Sequence, residues 1–181
     1  MHTFISNKKS IMKKLSVLSV LLFSAIFSFQ VKAQGTIVDA AVGNEDFSTL
    51  VTALTAADLV SALQGDGPFT VFAPTNAAFG KLDSATLNSL LEAENKAALS
   101  GILTYHVVSG KLAAADVVAA LEKGNGKVTL PTLNGQDITV MQKDGKIWIK
   151  DAKGNYSEIV ATDVMGSNGV IHVINTVIMP N

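Results

Sequence analysis

Near Lys127 the spacing of apolar residues changes, and no other feature of the chain constrains its fold as much. Before that point apolar side chains recur every three to four positions, the period of a helix with one buried face. After it they recur at every second position, the period of a strand. Helices in the first half and strands in the second predict an α+β fold whose antiparallel sheet is covered on one side. The chain contains no Cys. No disulfide can staple it, so a hydrophobic core drawn from the 48% apolar residues must hold it alone.

Local signals divide each half further. Asn44-Glu45-Asp46 supplies a cap and early negative charge for a helix with Phe47, Leu50, Val51 and Leu54 on one face. Asp58 is a candidate cap for a short turn carrying Leu59, Val60 and Leu63, which Gly65-Asp66-Gly67-Pro68 breaks. Residues 69–73 form a β-rich run into Pro74, and residues before a proline favour extended backbone. Thr75 then caps a helix through Phe79 and Leu82, Asp83 or Ser84 opens another with Leu87, Leu90 and Leu91 on one face, and residues 95–103 and 114–121 give two more. Residues 128–130, 138–141, 147–149, 159–161 and 170–178 read as strands. Asp144-Gly145 is a type I′ hairpin signal, and Asn134-Gly135 and Asn168-Gly169 mark further turns.

The N-terminus stands apart. Lys8, Lys9, Lys13 and Lys14 precede an uncharged stretch at residues 15–29, and Val31-Lys32-Ala33 offers small residues at signal-peptidase spacing. A signal peptide over residues 1–33 is expected, with Met12 as an alternative start, leaving residues 34–181 as a single domain. The apolar stretch is shorter than the about 20 residues of a stable membrane span. Removing the leader also removes five of the 14 Lys and none of the 15 acidic residues, so the remaining nine cations face a net charge of −6. An acidic domain without Arg does not suit nucleic acid, whose phosphates need clustered cations.

Two boxes stand out within the domain. One is Phe69-Thr70-Val71-Phe72-Ala73-Pro74-Thr75-Asn76-Ala77-Ala78-Phe79; the other is Asn168-Gly169-Val170-Ile171-His172-Val173-Ile174-Asn175-Thr176-Val177-Ile178-Met179-Pro180. Together they resemble the signature boxes of the fasciclin domain, an extracellular adhesion module, and Tyr105-His106 between them matches that family's Tyr-His motif. The resemblance runs from Ile37-Val38-Asp39 to Pro180. It implies a β-sandwich wedge with several helices packed along it, and signature roles for Phe72, Pro74, Thr75, Asn76, Phe79, Gly169, His172, Asn175 and Pro180. Asn175 stands where the family often carries Asp, which removes a charge there but keeps a hydrogen-bonding group.

Catalysis finds little footing. The domain has two His, His106 and His172, with no Cys and no metal-ligand spacing. Asp151, Lys153 and Asn155 resemble a calcium loop only loosely, since Lys occupies a ligand position and Gly154 comes too early. No Gly-x-Ser-x-Gly elbow anchors a hydrolase. His172, inside an apolar run, reads as a buried neutral imidazole bonded to backbone. The resemblance links the Tyr105-His106 pair both to fold integrity and to adhesion. It also points to Asp163-Val164, which lies where some animal members carry an Asp-Ile adhesion pair; the plainer reading is that Asp163 ends a strand. Asn155-Tyr156-Ser157 is a glycosylation sequon, of consequence only in a glycosylating host.

The expected function is therefore a non-enzymatic adhesion or interaction module without cofactor or metal, secreted, periplasmic or at the cell surface. Its partners would be extracellular matrix or cell-surface proteins or glycans. The alternative is an extracellular binder of a small apolar ligand or glycan fragment.

Overall fold

The computed structural model of the chain describes residues 35–181; the expected leader lies outside the described residues. Chain order begins with helix α1 (Ile37–Val42), a 3-10 turn at Glu45–Phe47, α2 (Ser48–Ala56) and α3 (Val60–Leu63). Strand β1 (Phe69–Pro74) precedes α4 (Asn76–Phe79), α5 (Ser84–Leu91), α6 (Lys96–Tyr105), β2 (Val107–Ser109) and α7 (Ala114–Lys123). Then come β3 (Lys127–Pro131), β4 (Asp137–Lys143), β5 (Lys146–Lys150), β6 (Tyr156–Gly166) and β7 (Gly169–Ile174).

Several helix starts follow from local chemistry. Asn44 accepts from the Asp46 N–H at 3.0 Å, Thr75 from Ala78 at 3.2 Å and Asp83 from Thr86 at 3.2 Å, each satisfying an otherwise orphaned donor. Helix α1 was not expected. It is opened by a reciprocal box in which Thr36 accepts from the Asp39 N–H and the Asp39 carboxylate accepts from the Thr36 N–H at 2.7 Å. Asp58 does not cap α3; it takes φ +55° and pairs with Lys96. Asp144 and Gly145 both have positive φ, 54° and 75°, as a type I′ turn between β4 and β5 requires.

The strands form one seven-stranded sheet in the order β2-β1-β7-β6-β5-β4-β3, rather than two separate sheets packed as a sandwich. Its pairing is mixed: β1 and β7 run parallel, from Phe69 opposite Gly169 to Pro74 opposite Ile174. Both strands are buried along nearly their whole length, the environment in which parallel pairs occur. The 11-residue β6 carries register shifts between Ile159 and Ala161 and between Ala161 and Val164, where the sheet turns. A bridge between Val108 and Thr132, with the Leu133 N–H donating to the Val107 carbonyl at 2.8 Å, brings β2 beside the end of β3, so the sheet is nearly barrel-like.

Two apolar clusters result from this curl. Helices α1, α2 and α6 cover one face of β1 and β7 at Val71, Ala73, Ile171 and Val173. The opposite face contributes Phe72 and Ile174 to an interior with Ile138, Val140 and Ile149 from β4 and β5 and Val117 and Leu121 from α7. Strand β7 stops at Ile174 instead of running to residue 178. Beyond it the Asn175 amide oxygen accepts from the Glu158 N–H at 3.1 Å, and the Ser157 hydroxyl brackets Thr176. The tail then returns to the core with Val177 and Ile178 buried.

Candidate functional site

Helix α6 ends at Tyr105, and the turn out of it buries both members of the Tyr-His motif. The Tyr105 hydroxyl donates to the Asp137 carbonyl at 3.0 Å and accepts from the Ala152 N–H at 2.9 Å, joining α6 to the starts of β4 and of the β5–β6 loop. Burial pushes its pKa up; the nearby Asp151 and Asp137 charges add to that, and the Ala152 N–H opposes it. His106 is 2% exposed. Its Nε2 accepts from the Ile178 N–H at 3.2 Å, so Nδ1 carries the proton and donates to the Ile102 carbonyl at 2.8 Å. Burial lowers its pKa to about 4, against the weaker opposing effects of the Ile102 carbonyl and Asp151.

Asp151 completes this clamp, although the sequence suggests only a failed calcium loop there. It is 5% exposed. Its carboxylate accepts from the Asn155 N–H at 2.7 Å, the Asn155 amide at 3.1 Å and the Met179 N–H at 3.0 Å. His106 and Asp151 thereby pin the C-terminal tail against α6 and the β5–β6 loop, which Tyr105 ties to α6 and β4. The polar atoms of all three are occupied by hydrogen-bond partners, nearly all of them backbone groups. Among the described residues, no group of three or more His, Cys, Asp or Glu side chains is arranged to hold a metal.

The two boxes meet as neighbouring strands. Phe72 is fully buried, with its ring 5.8 Å from that of His172. The His172 Nε2–H donates to the Leu112 carbonyl at 2.7 Å, while Nδ1 is buried without a hydrogen-bond partner among the described residues. A Cβ on Gly169 would lie 2.2 Å from the Phe69 carbonyl oxygen, so no larger residue fits beside β1. Pro74 ends β1, and Asn76 ties α4 to α2 by accepting from the Thr49 N–H and donating to the Glu45 carbonyl and the Ser48 hydroxyl, each at 2.9 Å. Phe79 is buried in the helix-side cluster, and half-buried Pro180 lines a surface groove beside Gly101 and Asn134.

Asn168 does far more than its reading as a turn residue suggests. Its amide oxygen accepts from the Ile37 N–H at 2.9 Å, and its nitrogen donates to the Leu63 and Gly65 carbonyls at 2.8 and 2.7 Å. An Asn-Gly pair announces the turn; nothing local announces contacts more than one hundred residues away.

Asp163 and Val164 part company. Val164 pairs with Ile171 and packs half-buried on the helix-side cluster. Asp163 is exposed in the irregular part of β6, with φ +60°, a region that Asp tolerates better than most residues. Its Oδ1 accepts from the Ala114 N–H at 2.9 Å, so it caps α7 from across the molecule. Of the four adhesion candidates, only Asp163 meets solvent freely.

Comparison with known proteins accords with this architecture. The family model described as "Fasciclin domain" matches residues 45–180. A protein of Synechocystis sp., sll1483, is 53% identical over 145 residues, covering 80% of this chain and 73% of its own. The cell surface glycolipoprotein MPB83 of Mycobacterium bovis is 37% identical over 153 residues, covering 82% of this chain and 62% of its own. The solved structure of a FAS1 domain pair from the insect cell adhesion molecule fasciclin I superposes with a TM-score of 0.69 at 21% identity, over 80% of this chain and 50% of that one.

Proposed function

The chain belongs to the fasciclin family, and from that membership we propose that it is a non-enzymatic interaction module of the cell exterior, acting by adhesive contact with matrix or surface components. In this reading residues 1–33 direct export and residues 34–181 form the working domain. The observation that carries it is the fate of the polar residues in and around the motifs: Tyr105, His106 and Asn168, and Asp151 beside them, are buried and bonded to backbone, which leaves the outer surface as the means of action. The relative named a cell surface glycolipoprotein and the structural neighbour from a cell adhesion molecule support the same placement.

The rival reading, an apolar-ligand binder, needs an enclosed interior cavity. The apolar space between the helices and β1/β7, lined by Ile37, Leu50, Leu54 and Ile171 among others, amounts to about 10 Å³, no more than a water requires. Among the described residues, the larger hollows beside Trp148, Asn134 and Asp58 are surface grooves.

Multivalent presentation tests the proposal, because one small domain gains strength by clustering. Beads bearing the protein should adhere to immobilised matrix, glycan or cell surfaces far more strongly than the dispersed protein does. Asp163→Asn keeps a cap and tolerates the backbone, so adhesion lost in that folded variant would place the contact at Asp163. Beads that bind no surface would defeat the proposal.

A further inference from the structure

The outward face of β3–β6 has a composition unlike the rest of the domain. Strand register sets Lys127, Met141, Trp148 and Glu158 in one row across the four strands. The next row carries Thr129, Thr139, Lys150 and Tyr156, and Lys143 faces Lys146 beyond. Trp148 is the chain's single Trp, yet neither it nor Met141 belongs to either apolar cluster. Tyr156 is 50% exposed, with the Lys150 ammonium 5.9 Å from its ring centre. Together with Met141, Lys143 and Asp144, the two aromatic residues line a groove of about 220 Å³.

Charge sharpens the contrast. Ten of the 15 carboxylates precede Lys123, whereas six of the nine Lys in residues 35–181 lie at or after it. On the face itself Glu158 is matched by Lys146 at 2.7 Å. Lys127 and Lys143 have no ion pair among the described residues. The face carries Lys127, Lys143, Lys146 and Lys150 against Glu158, the groove-lining Asp144 and, opposite Pro131, Asp137, so a net-acidic domain turns a slightly cationic, aromatic face outward.

We propose that this face binds an acidic polysaccharide, with Trp148 and Tyr156 as platforms for sugar rings and Lys127, Lys143 and Lys150 as the cationic rim. The proposal rests on the reading of the protein as an extracellular interaction module and names its partner class. A groove of this size admits a single ring, and the C–H face of a pyranose stacks on an aromatic plane while its acidic substituent reaches a lysine. Lysines spaced along strands suit the repeating charge of a polymer. The absence of Arg argues against a phosphate-reading surface, which favours the bidentate guanidinium fork.

Because Trp148 is the single Trp, its fluorescence reports on the site directly. The full-length protein is titrated with polygalacturonate, dextran sulfate and neutral dextran. A saturable Trp148 signal with either acidic polymer and none with dextran is expected, weakening about tenfold as ionic strength rises from about 0.05 to about 0.3 M. Comparing the two acidic polymers tells carboxylate from sulfate recognition. The folded Lys127→Ala/Lys143→Ala double variant and Tyr156→Ala should each weaken binding about tenfold or more, while Lys111→Ala, away from the face, leaves it unchanged. Trp148→Ala should lose retention by the acidic polymer in affinity electrophoresis.

Equal response to dextran, no response to any polymer, or equal loss in Lys111→Ala would overturn the proposal. So would self-association abolished by Trp148→Ala without any polymer effect, which would assign the face to a second copy of the chain. Adhesion by multivalent beads that persists in the double variant would defeat this proposal while leaving the broader function standing.

Discussion

Strands β1 and β7 are covered on both faces, whereas β4 and β5 are covered on one. The covered pair carries the recognisable boxes, because each position there is constrained by packing from two sides, by ladder bonds, or by a close approach such as that of Gly169 to Phe69. The half-covered pair keeps its inner residues apolar, at Ile138, Val140 and Ile149, while its outer ones, Met141 and Trp148 among them, pack into neither cluster. A family signature thus marks what the fold requires, and the residues that meet a partner are better sought where the signature is silent.

Substitutions should separate the two regions. The largest effect is expected for Phe72→Ala, which empties a fully buried site against His172 and Ile174. It should cost about 3–5 kcal/mol in denaturant unfolding. A loss below about 1 kcal/mol would mean that the covered strands repack as freely as the bare ones.

Acid comes next. His106 has a folded pKa of about 4 against an ordinary value of 6.5, so the fold favours the neutral ring. Its contribution is fully present above pH 6.5 and is lost as pH falls from about 6.5 to about 4. At about 1.4 kcal/mol per unit, this amounts to about 3 kcal/mol. Urea midpoints measured across that window should slope down in the parent protein and flatten in His106→Gln, which is less stable at neutral pH. An unchanged slope in the variant would move the titration elsewhere.

A smaller effect is expected at Asp163. Replacement by Ala removes the cap on α7 and places a poorer residue at φ +60°, for a loss of about 1 kcal/mol, and Asn should recover most of it. The smallest is Trp148→Ala, which should change stability by less than about 1 kcal/mol, since its ring serves neither cluster. A loss as large as that of Phe72→Ala would erase the contrast between the regions.

What could be read from residues alone was what neighbouring residues decide. Thr75, Asn44 and Asp83 act within three positions of themselves; Thr75 and Asp83 cap the helices expected, whereas Asn44 caps the 3-10 turn before α2, which itself has no side-chain cap. The Asp144-Gly145 turn needs only its own backbone. Helix α1 escaped notice although its Thr36–Asp39 box is equally local, and β2 is too short, at three residues, to show a period. The parallel pairing of β1 with β7 and the joining of all strands into one curled sheet are non-local, so alternation could not distinguish them from an antiparallel sandwich. At the candidate site Tyr105, His106 and His172 are all buried, and only Nδ1 of His172 lacks a hydrogen-bond partner among them. The capping role of Asp163 does not follow from sequence, because the irregular stretch of β6 breaks the alternation that would indicate its direction.

The position of β7 also governs timing. It lies between β1 and β6, and its first partner, Phe69, was made one hundred residues earlier. Until residues 169–174 have been synthesised, β1 lacks its parallel neighbour and the two halves of the sheet can meet only at the narrow junction of β2 with the end of β3. Such long-range closure is slow and gives little reward to partial folding. A chain with this topology is expected to lock only after β7 is available, and until then to keep the looseness that lets a polypeptide be threaded through a narrow channel.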